Sequence, residues 1–124
     1  MVLCMLEHSK GIVITVEPNS TKTVTLIEPP KARVVEVNYI YLHFPTGSNY
    51  TLQVHFKIGT LKRIPEEGYI TGDNSRFEVV SYVYIIPPQK LDIVITNTDT
   101  SNSHSVFVYV EWKELKQEEI EGVT

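Results

Sequence analysis

Cysteine is almost absent from this chain, because Cys4 is the only one among its 124 residues. A single thiol cannot form an internal disulfide, and a four-cysteine metal site is excluded. A lone cysteine beside apolar neighbours is most often a small buried hydrophobic residue, so we assign Cys4 no reactive role. We therefore expect the fold to be stabilised by packing.

Long apolar runs are also missing. The first six residues are apolar but run into Glu7 and His8. They have neither the basic start nor the small-residue cleavage site of a signal peptide. No other stretch approaches the roughly 18 apolar residues that cross a bilayer. We expect a protein that is synthesised in the cytoplasm and has no membrane span.

Positive charge is scarce and scattered. Lysine and arginine total 11 against 15 acidic residues, which gives a formal net charge of −4. Binding to a nucleic-acid backbone needs a basic stripe or patch, so we expect no nucleic-acid partner. The six glycines are isolated at turns or strand ends, so no glycine-rich phosphate loop is present. We expect no cofactor.

Catalytic and metal-ligating clusters are absent from the sequence pattern. If 33–44 and 50–58 pair as a hairpin closed by 45–49, His55 lies opposite Tyr39. His43 is then four residues further along the strand, or about 13 Å away, which is too far for joint ligation of a metal. His104 has only Asp99 near it at ligand spacing, and its neighbours Ser103 and Ser105 would point to the opposite face of a strand. We expect solvent-exposed histidines, no bound metal and no enzymatic activity.

Residues that favour β-structure are abundant: valine, isoleucine, tyrosine and threonine. Apolar and polar residues alternate in nearly every segment, with Pro, Gly, Asn or Ser turns about every ten residues, as in a sandwich or barrel. We predict an all-β, single antiparallel β-sandwich of about eight strands over 1–124, with 114–124 as a polar C-terminal tail. The candidate strands are 2–7, 11–17, 21–28, 33–44, 50–58, a short piece near 68–71, 77–86, 90–97 and 105–113.

The alternation also predicts strand pairing and a core. A loop over 45–49 would make 33–44 and 50–58 a hairpin in which Leu42 faces Leu52. A second hairpin would join 90–97 to 105–113 through a long, exposed polar loop. The apolar parity switches near Asn38, which predicts a bulge or a strand that changes sheets. The predicted core comprises Leu42, Phe44, Leu52, Val54, Phe56, Val83, Ile93, Ile95, Val108 and Val110.

Two segments begin a strand after a proline turn: 16–25 (VEPNSTKTVT) and 86–96 (IPPQKLDIVIT). Together with the Asn97-Thr98-Asp99 tip and the closing aromatic strand, they resemble jelly-roll and related sandwich domains, including those of virion and surface-appendage structural proteins. The resemblance covers most of the chain as a pattern and implies architecture. Incorporation into a virion is one expectation that it raises.

Tyrosine and phenylalanine give two strands a second apolar face. Tyr82 and Tyr84 lie opposite Val83, and Phe107 and Tyr109 lie opposite Val108. A strand in a two-layer sandwich needs one buried face, so the second face needs a cover. Three covers remain open: packing on neighbouring rings and the C-terminal tail, a subunit interface, or stacking on sugar rings.

The sequence favours a non-enzymatic structural protein that self-associates or docks into a larger complex, as a homo-oligomer or with other structural subunits. The alternative is a carbohydrate- or receptor-binding module. For both functions the candidate interaction surface comprises Tyr82, Tyr84, Phe107, Tyr109 and His104.

Overall fold

Eight strands form two antiparallel sheets in a computed structural model that describes residues 6–116. The strands are β1 (Leu6–Val16), β2 (Ser20–Ile27), β3 (Arg33–Phe44), β4 (Leu52–Ile58), β5 (Leu61–Ile64), β6 (Ser75–Ile85), β7 (Leu91–Asn97) and β8 (His104–Lys116). Sheet A has the order β1-β8-β3-β6, and sheet B has the order β2-β7-β4-β5. Successive strands therefore alternate between the sheets, except for β4 and β5. This two-sheet, eight-strand arrangement is a jelly roll, which confirms the predicted fold class.

The inward faces of both sheets supply one hydrophobic core. In β4 the residues alternate strictly between buried and partly exposed, with Leu52, Val54 and Phe56 fully buried. Nine of the ten predicted core residues belong to the buried cluster, and the tenth, Val83, is partly buried against it. The predicted inward face is therefore confirmed.

The two predicted hairpins are wrong. β3 and β4 lie in different sheets, where β3 pairs with β6 and β8 while β4 pairs with β5 and β7. β7 and β8 are likewise in different sheets. Leu42 and Leu52 both point into the core, but they do so from opposite layers. Alternation indicates which side chains point inward; it does not distinguish a neighbour in the sheet from a strand across the core.

The parity switch near Asn38 is a bulge in β3. The register of β3 shifts between Val37 and Tyr39 against both β6 and β8. Asn38 is the extra residue against β8, whereas against β6 it lies opposite two residues, Ser81 and Tyr82. Its side-chain amide donates to the Glu36 carboxylate at 2.7 Å. The bulge lets Val37 and Ile40 both reach the core despite their opposite parity.

Several strand boundaries differ from the prediction. The stretches 2–7 and 11–17 were expected as two strands, but β1 is continuous through Gly11, and residues 2–5 lie outside the described range. Near 68–71 there is a single bridge between Val54 and Ile70, whereas β5 was missed because four residues (LKRI) show no readable alternation. β8 continues to Lys116, three residues beyond the predicted strand end.

Candidate interaction surface

The outer face of sheet A carries aromatic and large aliphatic side chains from all four strands. Tyr41 on β3 lies opposite Tyr109 on β8, and Tyr39 lies opposite Val80 on β6. Four of the five residues that the sequence nominated share this face, because β6 and β8 flank β3. The aromatic and large aliphatic members of the face are Val13, Tyr39, Tyr41, Val80, Tyr82, Tyr84, Phe107 and Tyr109.

The β8 half of this face is largely covered from within the chain. The Phe107 ring packs edge-on against Tyr41, with centroids 6.1 Å apart, and Tyr109 packs against Tyr39 at 6.2 Å. Both rings also lean over β1 at Gly11, where an added Cβ would lie 3.2 Å from Phe107 Cζ. The absence of a side chain at Gly11 therefore leaves room for these rings in the middle of a continuous strand. The sequence analysis placed Gly11 at a strand end and did not find this role.

The β6 half is open to solvent. Val80 is 70% exposed, Tyr82 is 71% exposed and Tyr84 is 48% exposed. The nominated surface therefore divides into partly buried rings on β8 and exposed side chains on β6. Ring packing within the chain accounts for Phe107 and Tyr109, and it leaves the β6 side chains uncovered within residues 6–116.

Carboxylates accompany the phenols of this face. A hydrogen bond to Glu36 raises the pKa of Tyr84, and one to Glu111, with Oη and Oε2 2.7 Å apart, raises the pKa of Tyr109. Desolvation and the nearby charge of Glu78 raise the pKa of Tyr39. These phenols therefore stay protonated at neutral pH, and the carboxylates make the face a poor site for an anion.

An open groove of about 400 Å³ crosses this face beside the β3 bulge. Its lining mixes rings with charged and amide groups: Glu7, His8, Ser9, Asn38, Tyr82, Tyr109, Glu111, Trp112 and Lys113. His8 stacks on Trp112, with ring centroids 5.5 Å apart and planes 18° from parallel. His8 Nε2 also lies 2.9 Å from a Glu114 carboxylate oxygen, although it is not aligned for a hydrogen bond. The groove thus offers aromatic surface together with polar groups.

His104 does not join the aromatic face. It begins β8 with the inward parity of Val106, and its side chain is only 14% exposed. Its Nε2 lies 2.7 Å from Asp99 Oδ2, so the expectation of a solvent-exposed histidine is wrong here. This contact, with the amides of Ser101 and Asn102, holds the pKa of Asp99 well below its ordinary value. The pair orders the loop between β7 and β8.

Asn97 is a structural residue that sequence reasoning placed in the exposed loop. It is 1% exposed, and its amide donates to the carbonyls of Val16 at 3.0 Å and Asn102 at 2.9 Å. Its side-chain oxygen accepts from the amide of Asp99. Asn97 thus ties β1 of sheet A to β7 of sheet B. Its parity with Ile93 and Ile95 was the available signal of burial.

Within residues 6–116, no three His, Cys, Asp or Glu side chains come together as a metal site. The same range contains no helix with the length and apolar character needed to cross a bilayer.

Comparison with known proteins gives structural matches without sequence matches. No family model and no curated protein matches the sequence. One chain of the Sulfolobus Turreted Icosahedral Virus structure is similar with a TM-score of 0.60 and 11% identity, over 90% of this chain and 31% of that chain. The major capsid protein P2 of bacteriophage PM2 is similar with a TM-score of 0.51 and 14% identity, over 90% and 45% of the two chains.

A chain of the cyanophage Pam1 capsid asymmetric unit also has a TM-score of 0.51 and 14% identity, over 90% of this chain and 85% of that chain. This protein therefore spans less than half the length of the first two matches and most of the third. At such identities the likeness establishes the fold alone. The chain has the jelly-roll sandwich of viral capsid proteins, which confirms the predicted resemblance.

Proposed function

We propose that this chain is a non-enzymatic structural subunit that self-associates in a virion- or appendage-type assembly. The observation that carries the proposal is the exposed apolar side of β6 on the outer face of sheet A. Val80, Tyr82 and Tyr84 form a contiguous exposed row on one strand. Patches of this kind mark protein interfaces, in which tyrosine is enriched.

The similarity to capsid chains supports the same proposal. Shells of that type are built from many copies of jelly-roll subunits, so exposed apolar surface is buried on assembly. A stable contact between two such subunits buries about 1,200–2,000 Å² in total. The row on β6 would form the apolar centre of such a contact, and Arg76 and Glu78 on the same strand would supply its polar rim.

The test is the oligomeric state in solution. We expect the parent protein to sediment as an oligomer or larger particle, and we expect Tyr82→Ser/Tyr84→Ser to weaken association with the fold intact by circular dichroism. Tyr50→Ser/Tyr69→Ser is the matched control, since these tyrosines are similarly exposed outside β6. A parent that remains monomeric at every concentration would overturn the proposal.

A second candidate function is carbohydrate binding, which the groove beside the bulge favours. Sugar recognition combines ring stacking with hydrogen bonds to hydroxyls, and the groove offers Tyr82, Tyr109 and Trp112 beside Glu7 and Glu111. Retention on immobilised glycans that Tyr82→Ala abolishes would support this function, because Tyr82 lines the groove and is exposed. Passage through every glycan column would exclude it for the glycans tried.

A further inference from the structure

Each sheet edge is a row of unpaired backbone groups, and three of the four edges described here are protected. The edges are β1 and β6 in sheet A, and β2 and β5 in sheet B. Lys10 on β1 lies opposite the inward-facing Val110, and Lys22 on β2 lies opposite the inward-facing Ile95. An inward-pointing charge opposes the addition of another strand. The third protected edge strand, β5, is only four residues long, which leaves few backbone groups for a further strand to pair with.

β6 has none of these protections in its sequence. It is eleven residues long (SRFEVVSYVYI) and contains neither lysine nor proline. Val79 and Val83 keep the same inward parity along it, although Ser81 and Tyr82 together lie opposite Asn38 of β3 and form a bulge. Phe77, on the inward side of the strand, is also exposed. A long apolar edge that lacks an inward-pointing charge is a template for strand addition.

We propose that β6 pairs antiparallel with β6 of a second copy of this chain, about a two-fold axis that passes through Val80. The proposal rests on the proposed function and specifies the contact that begins the assembly. Pairing would join the two copies of sheet A into one continuous eight-stranded sheet. It would satisfy the free backbone groups of both edges and bring the exposed apolar side chains of the two copies into cross-strand contact.

The sequence of β6 favours this register. A two-fold axis at Val80 pairs all eleven residues, and it sets Glu78 opposite Tyr82 and Arg76 opposite Tyr84 of the second copy. A phenol can donate to a carboxylate, and a guanidinium can pack on a tyrosine ring. On the inward side, Phe77 faces Val83 of the second copy.

Two neighbouring registers are disfavoured by charge. An axis at Glu78 would place two carboxylates opposite each other, and an axis at Arg76 would do the same with two guanidinium groups. An axis at Phe77 would pair Arg76 with Glu78 favourably, but it would leave Val80 and Tyr82 beyond the paired segment. The axis at Val80 combines full length with compatible charges.

The decisive variant is Val80→Lys, with Val13→Lys as its matched control. Both valines lie on the outer face of an edge strand of sheet A, at 70% and 66% exposure, so neither substitution disturbs the core. We expect Val80→Lys to weaken association at least about tenfold in sedimentation velocity, because two lysines would meet at the axis. Val13→Lys should associate like the parent.

The outcomes separate this inference from the proposed function. If the parent assembles and Val80→Lys assembles equally well, edge pairing through β6 is wrong while self-association stands. If the parent is monomeric at every concentration, both fail. Loss of assembly in Val80→Lys alone supports both.

Cysteine cross-linking tests the register independently. In a Cys4→Ser background, Val80→Cys should oxidise to a disulfide-linked dimer, because a residue on the axis faces its own copy. Tyr82→Cys is the control: its own copy would lie four residues away along the strand, or about 13 Å, which is beyond disulfide reach. Equal cross-linking at both positions would overturn the register.

Discussion

The outer faces of the two sheets differ in chemistry although the same core supports both. On sheet B, hydroxyls and carboxylates form cross-strand pairs: Thr21 with Thr96 at 2.9 Å between hydroxyl oxygens, and Thr25 with Asp92 at 2.7 Å. On sheet A, the corresponding positions of β8 and β3 carry aromatic rings that pack edge-on. Sheet B therefore has the surface of a solvated layer.

The difference indicates where the chain has an unmet requirement for burial. Polar cross-strand pairs satisfy themselves in water, so the outer face of sheet B needs no further cover. The outer face of sheet A covers its rings on β3 and β8, and it remains exposed at Val13 on β1 and along β6. Within the outer face of sheet A, the rings of β8 are packed and the side chains of β6 are exposed. The candidate interface is therefore the β6 edge.

The largest expected effect comes from a substitution in the hydrophobic core, which both sheets share. Phe56 is fully buried on β4, so Phe56→Ala should lower the free energy of unfolding by about 3–5 kcal/mol through lost burial and a cavity. Denaturant unfolding measures the change. A variant as stable as the parent would mean that the two sheets do not share the described core.

A smaller loss is expected where the rings of sheet A meet β1. Gly11→Val places a branched side chain against Phe107 and Tyr109, which already lie within 3.2–3.6 Å of an added Cβ. We expect a loss of about 1–3 kcal/mol from the strain of overpacking. Near-UV circular dichroism should report the displaced rings. Unchanged stability and an unchanged spectrum would show that the rings do not rest on Gly11.

The stability of the fold should depend on pH through Asp99, in the loop between β7 and β8. Because the pKa of Asp99 is lowered by His104 and two backbone amides, the ionised carboxylate stabilises the folded state above its ordinary pKa of 3.8. Asp99→Asn should therefore be less stable than the parent at neutral pH.

That difference should shrink as the pH falls below about 4, because the unfolded parent then takes up a proton on Asp99 that the folded parent binds only at lower pH. Thermal unfolding of the two proteins between neutral and strongly acidic pH measures the difference. A gap that stays constant across this range would contradict the ionised pair.

The smallest effect is expected on the outer face of sheet B. Thr25→Val keeps the β-branched shape and removes one exposed hydrogen bond to Asp92. We expect a change in unfolding free energy within about 0.5 kcal/mol and an unchanged oligomeric state. Altered association in this variant would show that sheet B also takes part in the interface.

Alternation in the sequence predicted the inward residues and the exposed second face, but it did not predict the topology. Leu42 and Leu52 have the parity of a hairpin pair, but they point into the core from opposite sheets. Burial constrains parity and leaves the strand pairing unspecified. The parity switch at Asn38 was readable, since a bulge changes the sequence pattern itself.

The candidate surface was predicted only in part, because the sequence pattern describes each strand without its neighbours in the sheet. Tyr82 and Tyr84 were identified from their own strand, whereas the packing of Phe107 and Tyr109 depends on Gly11, which is nearly a hundred residues away along the chain. His104 was nominated for the surface, whereas its contact with Asp99 holds it at the loop end of β8. Local pattern identifies which side chains share a face, and tertiary packing decides which of them stay exposed.

The central claim is that β6 pairs with a second copy of the chain while the protected edge strand β2 does not. Hydrogen exchange of the backbone amides of β6 and β2 tests it most directly. Pairing of β6 with a second copy predicts that its free-edge amides become protected as protein concentration rises, while the edge amides of β2, which carries the inward-pointing Lys22, exchange at the same rate throughout. An assembled protein in which β6 amides exchange as fast as those of β2 at every concentration would contradict the account.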